Sequence, residues 1–187
     1  MEHHDVIIVG AGISGVSQAV HLRKNCPGRT FTILEARDAV GGTWDLFRYP
    51  GVRSDSDMHT LGFNFKPWTE AKAIADGPSI LKYVNETVDE FGLRGKIRLG
   101  HRVKKASWSS EESCWTVTVK KSDGALEELS CGFITMCGGY YNYDEPHDAG
   151  LTNMDAFLGQ IVHPQFWPED LDYSGKQVVV IGSGATA

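Results

Sequence analysis

Val6-Ile7-Ile8-Val9-Gly10-Ala11-Gly12-Ile13-Ser14-Gly15 is the stretch that decides the fold. An unbroken run of β-branched residues suits a strand buried on both faces. The G-x-G-x-x-G that follows is the turn through which such a strand opens a helix and cradles a dinucleotide pyrophosphate. Gly10 permits the tight turn, Gly12 lets the backbone approach the pyrophosphate, and Gly15 lets helix and strand pack closely. The helix is expected from Ile13 to about Lys24, stopped by Pro27-Gly28, with a second strand over Phe31 to Glu35. Glu35 ends that strand, where a carboxylate accepts hydrogen bonds from both adenosine-ribose hydroxyls and repels a 2′-phosphate. The site is therefore expected to take FAD or NAD rather than NADP.

The pattern recurs. Val178-Val179-Val180-Ile181 leads into Gly182-Ser183-Gly184-Ala185-Thr186-Ala187, the last residues of the chain. This reads as a second buried strand and phosphate loop, so a flavin and a nicotinamide nucleotide are both expected. The expected fold class is α/β, a Rossmann-type three-layer fold with an inserted β-meander, cut at the start of a second Rossmann domain. The expected organisation is an FAD-binding domain over 1–140, a linker over 141–175 and the start of an NADPH-binding domain over 176–187.

Composition narrows the function classes. A chain of 187 residues can bury a substantial core as one domain and a fraction. Its formal charge of −6 argues against nucleic acid or an anionic membrane as partner. No apolar run is long enough to span a bilayer, and with no charged lead and long apolar stretch ahead of the first strand no secretory signal is expected. Cys26, Cys114, Cys131 and Cys137 form no C-x-x-C pair and no metal-ligand spacing. A cytoplasmic protein with reduced thiols, and no bound metal, is the expectation.

Between the loops, Val40 to Trp68 is rich in Gly, Pro, Asp and aromatics without a helical or strand period. Trp44, Phe47, Tyr49, Phe63, Phe65 and Trp68 do not suit a solvated loop and point to packing against something flat. Ser79 after Pro78 is the expected N-cap of a helix from Ile80 to about Phe91. Strand-like pieces follow at Ile97–Leu99, Arg102–Trp108, Trp115–Val119 and Leu126–Cys131, the meander. Phe133-Ile134-Thr135-Met136-Cys137 reads as a separate buried strand, with Met136 and Cys137 in the core.

Two further segments carry a resemblance. Gly42-Thr43-Trp44-Asp45-Leu46-Phe47-Arg48-Tyr49-Pro50-Gly51-Val52-Arg53-Ser54-Asp55 resembles the G-x-W-x-x-x-x-Y-P-G-x-x-x-D signature of Baeyer–Villiger flavin monooxygenases. Phe157-Leu158-Gly159-Gln160-Ile161-Val162-His163-Pro164-Gln165-Phe166-Trp167-Pro168 is similar to their second signature, F-x-G-x-x-x-H-x-x-x-W-P, at every fixed position. The wording around Arg53-Ser54-Asp55-Ser56-Asp57-Met58 and Gly139-Tyr140-Tyr141-Asn142-Tyr143 is closest to the ethionamide-activating branch. The resemblance runs over essentially the whole chain and over well under half of the family's usual length.

That resemblance implies roles residue by residue. Gly10, Gly12, Gly15 and Glu35 would hold FAD, Arg37 and Val103 would flank the adenosine, and Thr43, Trp44 and Asp55 would lie near the flavin ring. Asp55 would act in catalysis by orienting an arginine that this chain does not contain. Phe157, Gly159, His163, Trp167 and Pro168 form the linker fingerprint, in which the family's histidine affects turnover and domain arrangement. Gly182, Gly184 and Ala187 would open the NADPH site. The implied activity is NADPH- and O₂-dependent oxidation of ketones to esters, and S-oxidation of thioethers or thioamides, by way of a C4a-peroxyflavin. The implied partners are O₂, a small ketone or organosulfur substrate, and the missing C-terminal half of the enzyme.

Plainer readings stand beside these. Trp44, Tyr49 and Trp68 also suit core packing, Asp55 an Asx-turn and His163 a loop cap. His3 and His4 read as solvent-exposed terminal residues. Two other functions remain open: a non-catalytic FAD-binding or inert unit, and a two-nucleotide flavoprotein reductase, for which a redox-active cysteine pair is lacking.

Overall fold

The computed structural model describes residues 1–182 and 184. The chain divides into two compact units, one formed by Met1–Asp45 with Leu81–Gly139, the other by Leu46–Ile80 with the described residues from Tyr140 onward.

The first unit is built on a six-stranded sheet. Its strands are β1 (Glu2–Val9), β2 (Phe31–Leu34), β3 (Ile97–Arg98), β4 (His101–Ser109), β5 (Cys114–Lys121) and β6 (Leu126–Met136), in the order β3-β2-β1-β6-β5-β4. β1 runs parallel to β2, with Val6 opposite Phe31 and Val9 opposite Leu34. The crossover between them is helix α1 (Ile13–Asn25), whose buried residues Gly15, Val16, Ala19 and Val20 form one stripe. Alternation along β1 sends Ile8 toward α1 at Gly15. Ile7 joins Leu34, Val117, Val119, Leu129 and Cys131 in an apolar cluster with the meander. Both faces of β1 are therefore covered, which accounts for its unbroken β-branched run. Each such fully buried side chain contributes about 1.5–3 kcal/mol relative to exposure.

Asp5 ties β1 to the start of β2. Its carboxylate accepts from the Thr30 N–H and hydroxyl, both at 2.7 Å, and from Arg29 at 2.9 Å. These bonds, those from Thr30 above all, hold its pKa down at about 2.

Three of the four expected meander pieces form it, as β4, β5 and β6, whereas Ile97–Arg98 pairs parallel with β2 at the opposite edge of the sheet. The last meander strand is also longer than the sequence suggests. Leu126–Cys131 and the stretch from Phe133 form one strand, antiparallel to β5 over Leu126 to Cys131 and parallel to β1 over Leu129 to Met136. Gly132 does not break it, since pairing with β5 before it and with β1 on both sides of it carries the strand through. Met136 is 72% exposed rather than core, and Phe133 is also exposed. α1 packs over β1 and β2, so the far end of β6 lies beyond its cover. β1 also begins earlier than expected, at Glu2. His4 is half-buried against Glu2 at 3.0 Å instead of lying in solvent.

In the second unit, the aromatic segment contains helix α3 (Met58–Leu61), while α2 (Thr43–Leu46) closes the first stretch of the first unit. These single turns escape a periodicity reading. Asp57 caps α3 by accepting from the His59 and Thr60 N–H groups. Backbone bonds from Ser54 to Ala75 and from Gly77 to Val52 fold the segment back on itself. Phe47, Phe63 and Trp68 are buried, and Phe63 stacks on Phe65 at 4.9 Å. Helix α4 (Gly77–Glu90) buries Ile80, Tyr83, Val84, Thr87 and Val88, a 3.6-residue stripe. Its start is held by the Asp76 carboxylate, which accepts from the Ser79 N–H at 2.9 Å. The cap is thus Asp76, not Ser79, because Gly77 and Pro78 already occupy the first helical turn.

Val178-Val179-Val180-Ile181 forms no strand and is 62–77% exposed. No strand among the described residues lies beside it to bond its backbone, so apolar pattern alone does not make it a buried strand here.

Candidate dinucleotide site

The β1–α1 loop is shaped mostly by the protein's own backbone. Gly10 sits at φ +104°, and a Cβ there would lie 2.4 Å from the Cys137 carbonyl oxygen. A Cβ on Gly15 would lie 1.9 Å from the Gly10 carbonyl oxygen. Gly12 differs. A Cβ there would meet only Gly42, at 3.6 Å from its Cα, an ordinary contact. Its φ of −76° and ψ of −171° suit any residue. Two glycines are demanded by the fold, and the third is not, since the space a Cβ would take there is bounded only by Gly42 at van der Waals distance. A group seated there would need that space. Gly12 also caps α1 without a side-chain bond, and the first turn of α1 holds no acid. The positive end of the helix dipole therefore faces the loop without an acid from its own first turn. The residues present fit a dinucleotide pyrophosphate.

Glu35 is buried at the end of β2. One carboxylate oxygen accepts from the Ala11 N–H at 2.7 Å and the other from the Arg37 N–H at 2.9 Å. The acid therefore fixes the loop, and each oxygen keeps further accepting capacity for a hydroxyl. The Gly100 and His101 N–H groups bond to the carbonyls of Arg37 and Glu35, both at 2.8 Å. They bring β4 alongside, with Val103 half-buried at a bulge. Gly41 closes the other side by donating to the Ala11 carbonyl at 3.1 Å. Thr43 and Trp44, both half-buried, follow on α2.

Other expected residues lie in the second unit. Asp55 is exposed and makes a long contact with the Ser56 hydroxyl at 3.5 Å. The turn bonds around it belong to Ser54, which accepts from the Ser56 N–H, and to Asp57. His163 does cap a turn: its Nδ1 accepts from the Gln165 N–H at 3.2 Å, opening the 3₁₀ turn Pro164–Phe166. Phe157 is exposed and closes over Gly159, where a Cβ would lie 2.6 Å from its ring. Trp167, before half-buried Pro168, meets Tyr173 edge-on at 5.9 Å. Arg48 and Glu169 bring the two signatures together through an exposed contact at 3.7 Å. Gly182 and Gly184 are exposed, and Ala187 lies outside the described residues.

Sequence reasoning missed Gln165 and Asp45. Gln165 is buried and donates to the Asn142 carbonyl at 2.7 Å. Asp45 is buried and pairs with Arg37 at 2.7 Å. Both occupy variable positions of the signatures, so the pattern gave no reason to select them. A polar residue beside an aromatic, Asp45 after Trp44 and Gln165 before Phe166, was the signal available.

Residues 8–76 match the model of the NAD(P)-binding Rossmann-like domain, and residues 67–187 match that of the flavin-binding monooxygenase-like family. This chain belongs to the flavin-binding monooxygenase-like family. The fold and the family read from the paired signatures agree with these matches. Among curated relatives, it is 59% identical to the FAD-containing monooxygenase EthA of Mycolicibacterium smegmatis, over 100% of this chain and 38% of that protein. Among solved structures, it resembles oxidized steroid monooxygenase bound to NADP at a TM-score of 0.80 and 36% identity, covering 97% of this chain and 34% of that one. It also resembles ε-caprolactone-bound cyclohexanone monooxygenase at a TM-score of 0.83 and 30% identity, covering 100% of this chain and 36% of that one. The chain thus spans well under half the length of these family members.

Burial pushes the Cys131 and Cys137 thiols up, the opposite of an activated thiolate. Among the described residues, no helix is long and apolar enough to cross a membrane.

Proposed function

We propose that this chain forms the FAD-binding core and the opening of the NADPH site of a Baeyer–Villiger-type flavin monooxygenase. The supporting observation is that the fold itself requires Gly10 and Gly15, whereas a Cβ on Gly12 would make only an ordinary contact with Gly42, so the fold alone does not call for glycine there. FAD held by these residues would supply the redox chemistry, hydride uptake from NADPH and oxygen activation, that the side chains themselves lack, for use on a ketone carbonyl or a soft sulfur.

The chain's own residues bind and orient. The Gly10–Gly15 backbone and the α1 N-terminus hold the pyrophosphate, and Glu35 accepts from the adenosine ribose. Arg37 and Val103 flank the adenosine, while Thr43, Trp44 and Asp55 serve the flavin end. Asp55 orients a cation from beyond this chain. The Trp44–Trp68 segment keeps water from the reacting centre, which protects activated oxygen from wasteful decay. His163 acts through the turn it caps, setting how the linker meets the rest of the enzyme. Gly182, Gly184 and Ala187 begin the NADPH loop. Substrates are small ketones or organosulfur compounds, and the setting is the cytoplasm.

A second reading is favoured by the exposed Val178–Ile181 run: the chain alone binds FAD without turnover. The deciding experiment mixes the purified chain with excess FAD, desalts it and records the visible spectrum. Retained flavin near one per chain supports the cofactor assignment, and a colourless protein overturns it for this chain. NADPH-driven oxygen uptake by the yellow protein would then favour the first reading, and silence the second.

A further inference from the structure

Three segments meet at the candidate site, and one side chain outside the expected set ties two of them. Glu35 joins the phosphate loop to the end of β2 through the Ala11 and Arg37 N–H groups. Gly41 joins the following turn to the loop through the Ala11 carbonyl. Arg37 reaches over that turn. One of its guanidinium nitrogens approaches the Gly42 carbonyl at a long 3.4 Å, and the other meets the Asp45 carboxylate at 2.7 Å. The Asp45 side chain is only 8% exposed and that of Arg37 23%. A carboxylate so covered is retained only with a charged or hydrogen-bonded partner. Asp45 is itself held in place, since its N–H donates to the Gly42 carbonyl at 3.1 Å in the first turn of α2.

We infer that Asp45 is a positioning residue for the dinucleotide: through Arg37 it clamps the Gly41–Gly42 turn against the Gly10–Gly15 loop. The clamp rests on the proposed FAD assignment but acts on the apo protein too. The turn supplies the wall opposite Gly12, because Gly42 is the neighbour a Cβ on Gly12 would meet. If the turn drifts, the space above Gly12 loses its shape before any ligand arrives. Arg37 is thus oriented by a buried acid instead of being left to find the ligand. An oriented guanidinium loses less freedom when it contacts a cofactor, which strengthens binding without a new contact.

The test uses Asp45→Asn, Arg37→Gln and the double variant in the full chain. FAD affinity is read by flavin fluorescence, and amide hydrogen exchange is read at Ala11 and Gly41. Folding is checked by circular dichroism, and half-buried Arg37 provides the variant that leaves the buried position untouched. Each single change is expected to weaken FAD binding about tenfold, the effect of one charge-assisted contact. The double variant should be no weaker than either single one, because both break the same pair. Exchange at Gly41 should rise in all three, with or without FAD, and Asp45→Glu should recover part of both signals. Unchanged Gly41 exchange in the variants, or additive losses of FAD affinity, would overturn the inference. A wild-type chain that takes no FAD but shows faster Gly41 exchange in the variants would overturn the cofactor assignment and leave the clamp standing.

Discussion

Replacing Gly12 with alanine separates a glycine kept for a ligand from one kept for the fold. The added Cβ would stand 3.6 Å from the Gly42 Cα and 4.0 Å from its N, with no closer neighbour. The backbone at Gly12 is extended, so alanine fits without strain. Two small terms oppose each other. Alanine is a poorer N-cap than glycine by about 0.5–1 kcal/mol, and stiffening the unfolded chain offsets this by about 0.4–1 kcal/mol. Thermal unfolding should move by no more than roughly 4 °C, the shift for about 1 kcal/mol in a chain of this size. FAD binding should weaken at least about a hundredfold, since the methyl occupies the backbone's approach to the pyrophosphate. Gly15→Ala is the control, because its Cβ would lie 1.9 Å from the Gly10 carbonyl oxygen. Helix and strand would have to part there, destabilising the protein by about 1–3 kcal/mol or more. Circular dichroism melts and flavin-fluorescence titrations on both variants decide the matter. Wild-type FAD affinity in Gly12→Ala, or a melt as damaged as that of Gly15→Ala, would refute the argument.

Three other expectations follow from the contacts described. The Asp5 pKa is lowered to about 2, so its contribution is present above about pH 4 and is lost as pH falls through about 2; acid melts of Asp5→Asn should lack this pH dependence, and a parallel loss in both proteins would count against it. The Tyr141 pKa is pushed up to about 12, first by its hydrogen bond with Tyr140 and then by burial and by charge on Tyr140, Tyr49 and Asp55; tyrosinate absorbance should show a late-titrating component that moves to lower pH in Tyr140→Phe, and a titration unchanged by that substitution would refute the contact. Gln165→Leu leaves the Asn142 carbonyl without its 2.7 Å donor and should cost about 1–3 kcal/mol in urea unfolding, where an unchanged midpoint would contradict the role assigned to the amide.

Much of the first unit was legible in the sequence because its patterns are local. Val6–Ile8 is buried and Val9 partly so, and a strand covered on both faces reads as a continuous apolar run. Glycines at fixed offsets announce the turn, and α4 carries its stripe in plain sequence. What escaped depended on partners distant in the chain. β6 looked like two strands because Gly132 resembles a break, whereas its continuity comes from β5 on one side and β1 on the other. Val178–Ile181 carries the same apolar lettering as β1 but has no ladder among the described residues, so identical local chemistry gives a different outcome. At the site, the glycines and Glu35 were found by motif, while Asp45 was not. Its importance lies in a pairing with Arg37 that only the folded turn creates.

β6 has a consequence for how the molecule is made. β1 lies between β2 and β6, and His3 contacts Ser130 across 127 positions of sequence. At about 5–20 residues per second, a ribosome needs roughly 6–25 s to travel that distance. During that interval β1 can pair with β2 and accept α1, since both are encoded close by, but its other edge stays bare. Closing so long a loop is also intrinsically slow, because the entropy is lost before the ladder forms. β1, with the apolar run Val6–Val9 at its end, is therefore the strand that waits longest for its second neighbour.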